Sequence, residues 1–172
     1  SVIGVMYNPD LLKEAGIKAL PSTYESFLRV LSQIKAKGII PLGNATGNAP
    51  SLEQLHAGVG PTFYGGTQFF NDVVKGTRTF TDKNYVASLQ AVKDLVPYMP
   101  ATPAGVDYNT ARGLFANEKA AFYIGGNYEI SYFRSLNPSL NVAWMPAPAA
   151  APGAKRYVTT WADGGFGINA KT

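Results

Sequence analysis

Four short apolar runs punctuate the chain: "SVIGVMYN" (1–8), "IIPLGN" (39–44), "KAAFYIGG" (119–126) and "NVAWMPAP" (141–148). Each has the length of a buried strand and is bounded by Gly, Pro or Asn. Between them lie segments with helical periodicity. "PDLLKEAG" starts with Pro9 and ends at Gly16, which suits a left-handed cap. "PSTYESFLRVLSQIKAKG" (21–38) has Ser22 and Glu25 at capping-box spacing, with Phe27, Leu28, Leu31 and Ile34 on one face. "FTDKNYVASLQAVKDLVPYM" (80–99) is a second strong helix, capped by Thr81 or Asp82, with a stripe of Tyr85, Leu89, Val92 and Leu95. Shorter helices are expected at "SLEQLHAG", "TQFFNDVVKG", "NTARGLFANE" and "NYEISYFRSL", a loop at "VGPTFYGG", and extended chain at "YVTTWADGGFGINA". Strands alternating with helices make the class α/β, one main sheet flanked by helices, without internal repeats.

Composition removes several functions. No cysteine is present, so disulfides, thiolate zinc sites and cysteine nucleophiles are excluded. The net charge is +4, but the basic residues are scattered and the densest cluster is only Lys155 and Arg156. A nucleic-acid binder concentrates its charge on one face, so that partner is not expected. No apolar run approaches the roughly 18 residues that span a membrane. The first residues carry no signal-peptide pattern.

His56 is the single histidine, which rules out a His-rich metal site. No nucleophile elbow occurs, and "GGFG" (164–167) lacks the spacing of a dinucleotide fingerprint. Glu118, Glu129 and Asp163 are available as paired carboxylates for glycoside hydrolysis. No metal or cofactor is expected. Asn44-Ala45-Thr46 matches a glycosylation sequon.

What remains is a binding constellation. In "FYIGGNYEIS" (122–131) a strand gives way to a helix at Gly125 and Gly126, with Tyr128 on the junction. Ligands of open α/β sheets lie at such strand ends. Backbone N–H groups of Gly126, Asn127 and Tyr128 are expected to be free there, with Glu129 beside them. A phenol ring offers a flat apolar face with a polar tip, which suits a sugar. In "TTWADGG" (159–165), Trp161 and Asp163 flank a bend in which Gly164 and Gly165 permit close approach. Asn48, His56 and Tyr64 belong to a region expected to supply a third wall.

The segments "VMYNPDLLKEAGI" (5–17), "PSTYESFLRVLSQIKAKGIIPL" (21–42), "FTDKNYVASLQAVKDLV" (80–96), "FANEKAAFYIGGNYEI" (115–130) and "GGFGINAKT" (164–172) resemble, in this order, the middle of extracellular solute-binding proteins of the sugar-binding kind, family 1. The resemblance implies a clamshell of two α/β lobes holding a carbohydrate or related polar solute for an ABC import permease. It implies that residues 1–172 form the second lobe, without the first lobe and the C-terminal helices. It further implies a periplasmic or extracellular protein, tethered through a lipid anchor on the precursor, and capture in place of catalysis. Two departures stand out. Tyr128 occupies a position where the family usually has Trp, and Glu118 one where it often has Gly. The alternatives are a carbohydrate-active hydrolase using Glu129 or Asp163, and a structural fragment without activity of its own.

Overall fold

A computed structural model describes residues 1–162, 164 and 167–170. All four apolar runs form strands: β1 (Val2–Tyr7), β2 (Ile40–Leu42), β3 (Ala120–Gly126) and β4 (Ala143–Met145), and the extended segment after them contributes β5 (Thr159–Thr160). β1 is central. It runs antiparallel to β3 on one side and to β4 and β5 on the other, while β2 adds parallel to the far edge of β3.

Side chains alternate across this sheet and divide the core in two. Val5, Phe122 and Ile124 face α2 (Tyr24–Ala36), α3 (Ala49–Val59) and α6 (Lys83–Leu95), meeting Phe27, Leu31, Ile34, Leu55, Val59 and Leu95. Met6 and Tyr123 point the other way, onto Phe115 of α7 (Tyr108–Ala116) and Phe133 of α8 (Glu129–Leu136). Helices therefore cover both faces. The remaining helices are α1 (Pro9–Glu14), α4 (Pro61–Tyr64) and α5 (Thr67–Val74).

Several local expectations are corrected. α2 is capped by Thr23 and Ser26, one residue later than Ser22 and Glu25: Ser26 N–H donates to Thr23 Oγ1 at 3.2 Å and Thr23 N–H to Ser26 Oγ at 3.0 Å. The shift has a tertiary cause. Ser22–Tyr24 is held extended by Ala149, which donates to Ser22 O at 3.0 Å and accepts from Tyr24 N–H at 2.8 Å. On α6 the buried residues are Ser88, Ala91 and Leu95, whereas Leu89 is exposed. The helix turns that face inward because Tyr24 Oη donates to Ala91 O at 2.5 Å and His56 Nε2 lies 2.8 Å from Ser88 Oγ. The loop expected at "VGPTFYGG" holds α4, a single turn that starts on Pro61, whose ring presets a helical φ, and ends at Gly65 in the left-handed region (φ 97°).

Asn44 is buried, so the sequon is not an accessible modification site. Its amide donates to Ile124 O and accepts from Ile124 N–H, both at 2.7 Å, continuing the ladder of β2 with a side chain. Glu118 follows α7 with φ 57°, the left-handed conformation a glycine adopts without strain.

Candidate functional site

The end of β3, one face of α3, and β5 with the residue after it enclose a groove of about 330 Å³. Ile3 lies at its base. Pro50, Glu53, Gln54 and Ala57 line one side, and Tyr128, Thr159 and Trp161 the others. Tyr128 and Trp161 are 40% and 37% exposed. Their ring centroids are 6.5 Å apart with planes at 64°, so the rings form an open corner. Two partly exposed aromatic side chains at the end of a sheet suit a flat, partly apolar ligand.

The two glycines before Tyr128 have separate steric roles. A Cβ on Gly125 would come within 2.6 Å of Tyr123 Cε1, on the core side. A Cβ on Gly126 would come within 2.5 Å of Tyr128 Cζ and 2.6 Å of its Cδ1. Each glycine thus makes room for one tyrosine ring, on opposite faces of the strand.

Backbone bonds register the two aromatic residues on β1. Asn127 N–H donates to Val2 O at 2.9 Å, and Val2 N–H donates to Asn127 Oδ1 at 3.0 Å. The Ser1 nitrogen donates to Trp161 O at 2.8 Å, and Trp161 N–H to Ser1 O at 3.2 Å. The expectation of a free Asn127 N–H is therefore corrected: sheet pairing consumes it, and Gly126 itself pairs in register with Ile3.

Beneath the groove lies a polar network. Gln54 Nε2 donates to Tyr128 Oη at 2.7 Å and to Tyr108 Oη at 3.3 Å. Tyr108 Oη donates to Glu129, whose second oxygen is 3.4 Å from Arg112 Nη1. Arg112 lies between the Tyr108 and Tyr132 rings, 4.4 Å and 3.5 Å from their centroids. Burial, followed by the bond to Glu129, pushes the Tyr108 phenol up to about 12. Tyr108 therefore stays a neutral donor. Gln54 Oε1 is buried and accepts no hydrogen bond from any described residue.

Tyr128 and Trp161 thus meet in the groove. Glu129, expected beside the ligand, is 0% exposed and underpins Tyr128 through Tyr108 and Gln54. Asn48 caps α3, its Oδ1 accepting from Ser51 N–H at 3.0 Å and Ser51 Oγ at 2.9 Å. Gly164 is exposed and is not among the residues lining the groove. Asp163 and Gly165 lie outside the described residues. From the region after β2, the groove is lined not by Asn48, His56 or Tyr64 but by Pro50, Glu53, Gln54 and Ala57. These positions follow the i, i+3, i+4, i+7 pattern, so their common face was available to periodicity. Nothing local to Tyr108 or Arg112 points to Glu129.

The sheet is covered on both faces and carries an aromatic groove at its strand ends, the place where open α/β sheets hold ligands. The chain belongs to the bacterial extracellular solute-binding protein family, whose model matches residues 1–172. It is 25% identical over 183 residues to the multiple sugar-binding protein of Streptococcus mutans serotype c, covering 100% of this chain and 42% of that one. Among solved structures, it resembles a manno-oligosaccharide-specific solute-binding protein of Bifidobacterium animalis subsp. lactis in complex with mannotriose. That match has a TM-score of 0.79 and 26% identity, over 99% of this chain and 42% of the other. A chitin oligosaccharide binding protein aligns with a TM-score of 0.77 and 25% identity, over 87% and 38% of the two chains. The chain therefore spans less than half the length of these relatives. Among the described residues, no helix is long and apolar enough to cross a membrane.

Proposed function

We propose that this chain captures a carbohydrate, as the second lobe of a clamshell binding protein that delivers its ligand to an ABC import permease. The observation that carries this is the exposed corner of Tyr128 and Trp161 over a groove backed by Gln54 and Glu53. A sugar ring has C–H patches that suit the aromatic faces and hydroxyls that suit the carboxylate and amide. Relatives that bind manno-oligosaccharide and chitin oligosaccharide support the ligand class. The permease, the opposing lobe and a lipid tether are parts of the same proposal. Capture is favoured over hydrolysis because Glu129 is sealed beneath the groove and bonded to Tyr108 and Arg112.

A lobe alone encloses its ligand on one side, so affinity in the millimolar range is expected. The test is Trp161 fluorescence in a Trp144→Phe background, titrated with mannotriose, raffinose, stachyose and chitotriose. A saturable change that Tyr128→Ala abolishes supports the proposal. No change with any of them in a folded chain, or turnover of aryl-glycosides lost in Glu129→Gln, overturns it.

A further inference from the structure

A second pocket, of about 350 Å³, opens beside the first. It shares Glu53, Ala57 and Thr159 with the Tyr128 groove, so the two form one depression along α3. Each is within the size range of ligand sites, roughly 300 Å³ and above. An aromatic cluster supports the second pocket: Tyr64 packs against His56, Phe69, Phe70 and Tyr85, and Phe69 stacks on Tyr85 at 5.0 Å. Tyr157 closes one end, packed so tightly on Gly66 that a Cβ there would lie 2.6 Å from its ring.

Two polar groups in this pocket have no hydrogen-bond partner among the described residues. Tyr64 is 6% exposed, yet its hydroxyl makes no hydrogen bond to any described residue. Burial, then the neighbouring Tyr85, pushes its phenol up to about 12, so it keeps its proton. His56 follows from proton counting. Ser88 Oγ donates to Tyr85 O at 2.6 Å, so its oxygen accepts from His56 Nε2–H at 2.8 Å. Burial keeps the imidazole neutral by lowering its pKa. Nδ1 is then a bare acceptor, with no hydrogen-bond donor among the described residues. Both residues line the pocket, so a donor hydroxyl and an acceptor nitrogen are available there to a polar ligand.

We propose that this pocket is a second sugar subsite, so that the ligand is an oligosaccharide lying along α3. One ring rests on Tyr128 and Trp161. The next lies against Phe70 and Tyr157, with its hydroxyls bonded to Tyr64 Oη and His56 Nδ1. Glu53, exposed and on the border of both pockets, receives hydroxyls next to the glycosidic link. The inference rests on the carbohydrate reading of the first groove and adds ligand length and direction.

The test is an NMR titration of the 172-residue chain, with assigned amide and aromatic resonances, using mannose and galactose against mannotriose, raffinose and stachyose. Monosaccharides are expected to move Tyr128 and Trp161, and the oligosaccharides to move Tyr64, Thr67 and Tyr157 as well. Tyr64→Phe is expected to lower the ratio of trisaccharide to monosaccharide affinity about fivefold, the effect of one neutral hydrogen bond. Its thermal midpoint should not fall, because the hydroxyl has no partner to lose. If every sugar moves Tyr128 and Trp161 alone, or the ratio survives Tyr64→Phe, the second subsite is wrong and the first stands. If no sugar moves either set, the carbohydrate reading fails and the subsite with it.

Discussion

Replacing Gly126 with alanine separates the aromatic corner from the fold. The new Cβ would lie 2.5 Å from Tyr128 Cζ and 2.6 Å from Cδ1, where carbon atoms rest at about 3.5–4.0 Å. The ring must retreat by about 1–1.5 Å. That movement breaks the 2.7 Å bond from Gln54 and opens the corner with Trp161. The lost hydrogen bond costs about 1 kcal/mol. The gain from a less flexible unfolded chain, about 0.4–1 kcal/mol, largely offsets it. Stability should therefore change by less than about 1 kcal/mol. Losing one aromatic face is worth about 0.5–1.5 kcal/mol, so sugar affinity should fall about two- to thirteenfold. Gly125→Ala is the control. Its Cβ strikes Tyr123, which is 1% exposed, and overpacking there costs about 1–3 kcal/mol. Urea unfolding gives the stabilities, and Trp161 fluorescence with the trisaccharides gives the affinities. An affinity for Gly126→Ala within twofold of the parent, or a stability loss equal to that of Gly125→Ala, would refute the assignment of one glycine to each ring.

Three further outcomes follow from the geometry. Arg112→Met leaves the Glu129 carboxylate fully buried without its counter-charge and should cost about 3 kcal/mol in urea unfolding, whereas Glu129→Gln, which still accepts from Tyr108, should cost less. Asn48→Ala removes the α3 cap and should cost about 1 kcal/mol, with Asn48→Asp close to neutral. His56 has its pKa lowered from 6.5 by burial, so the unfolded chain binds this proton more readily; stability should fall as pH drops below 6.5, with a contribution of up to about 1.4 kcal/mol per pH unit that His56→Gln removes.

The strands were legible because each apolar run is local and bounded, and each became a strand with trimmed ends. Their order was not. β1 pairs with residues more than a hundred positions away, and no local pattern records which runs become neighbours. The same distinction governs the site. Tyr128 and Trp161, which line the groove, each stand within three residues of a glycine pair in the sequence. Glu129 looked equally available, but its burial depends on Tyr108 and Arg112, which approach from another helix. The displaced cap of α2 is a tertiary effect too, imposed by Ala149.

The bonds that tie Asn127 and Trp161 to Ser1 and Val2 set a gauge for recognition. β3 and β5 flank β1, so the backbones carrying Tyr128 and Trp161 are held two strand spacings apart, about 9.5 Å. That width belongs to peptide geometry and is insensitive to side-chain substitution. The opposite wall is a helix face, where Pro50, Glu53 and Gln54 can be exchanged without disturbing the ladder. If the groove holds a sugar as proposed, selectivity can drift or be engineered along α3 while the aromatic corner keeps its width.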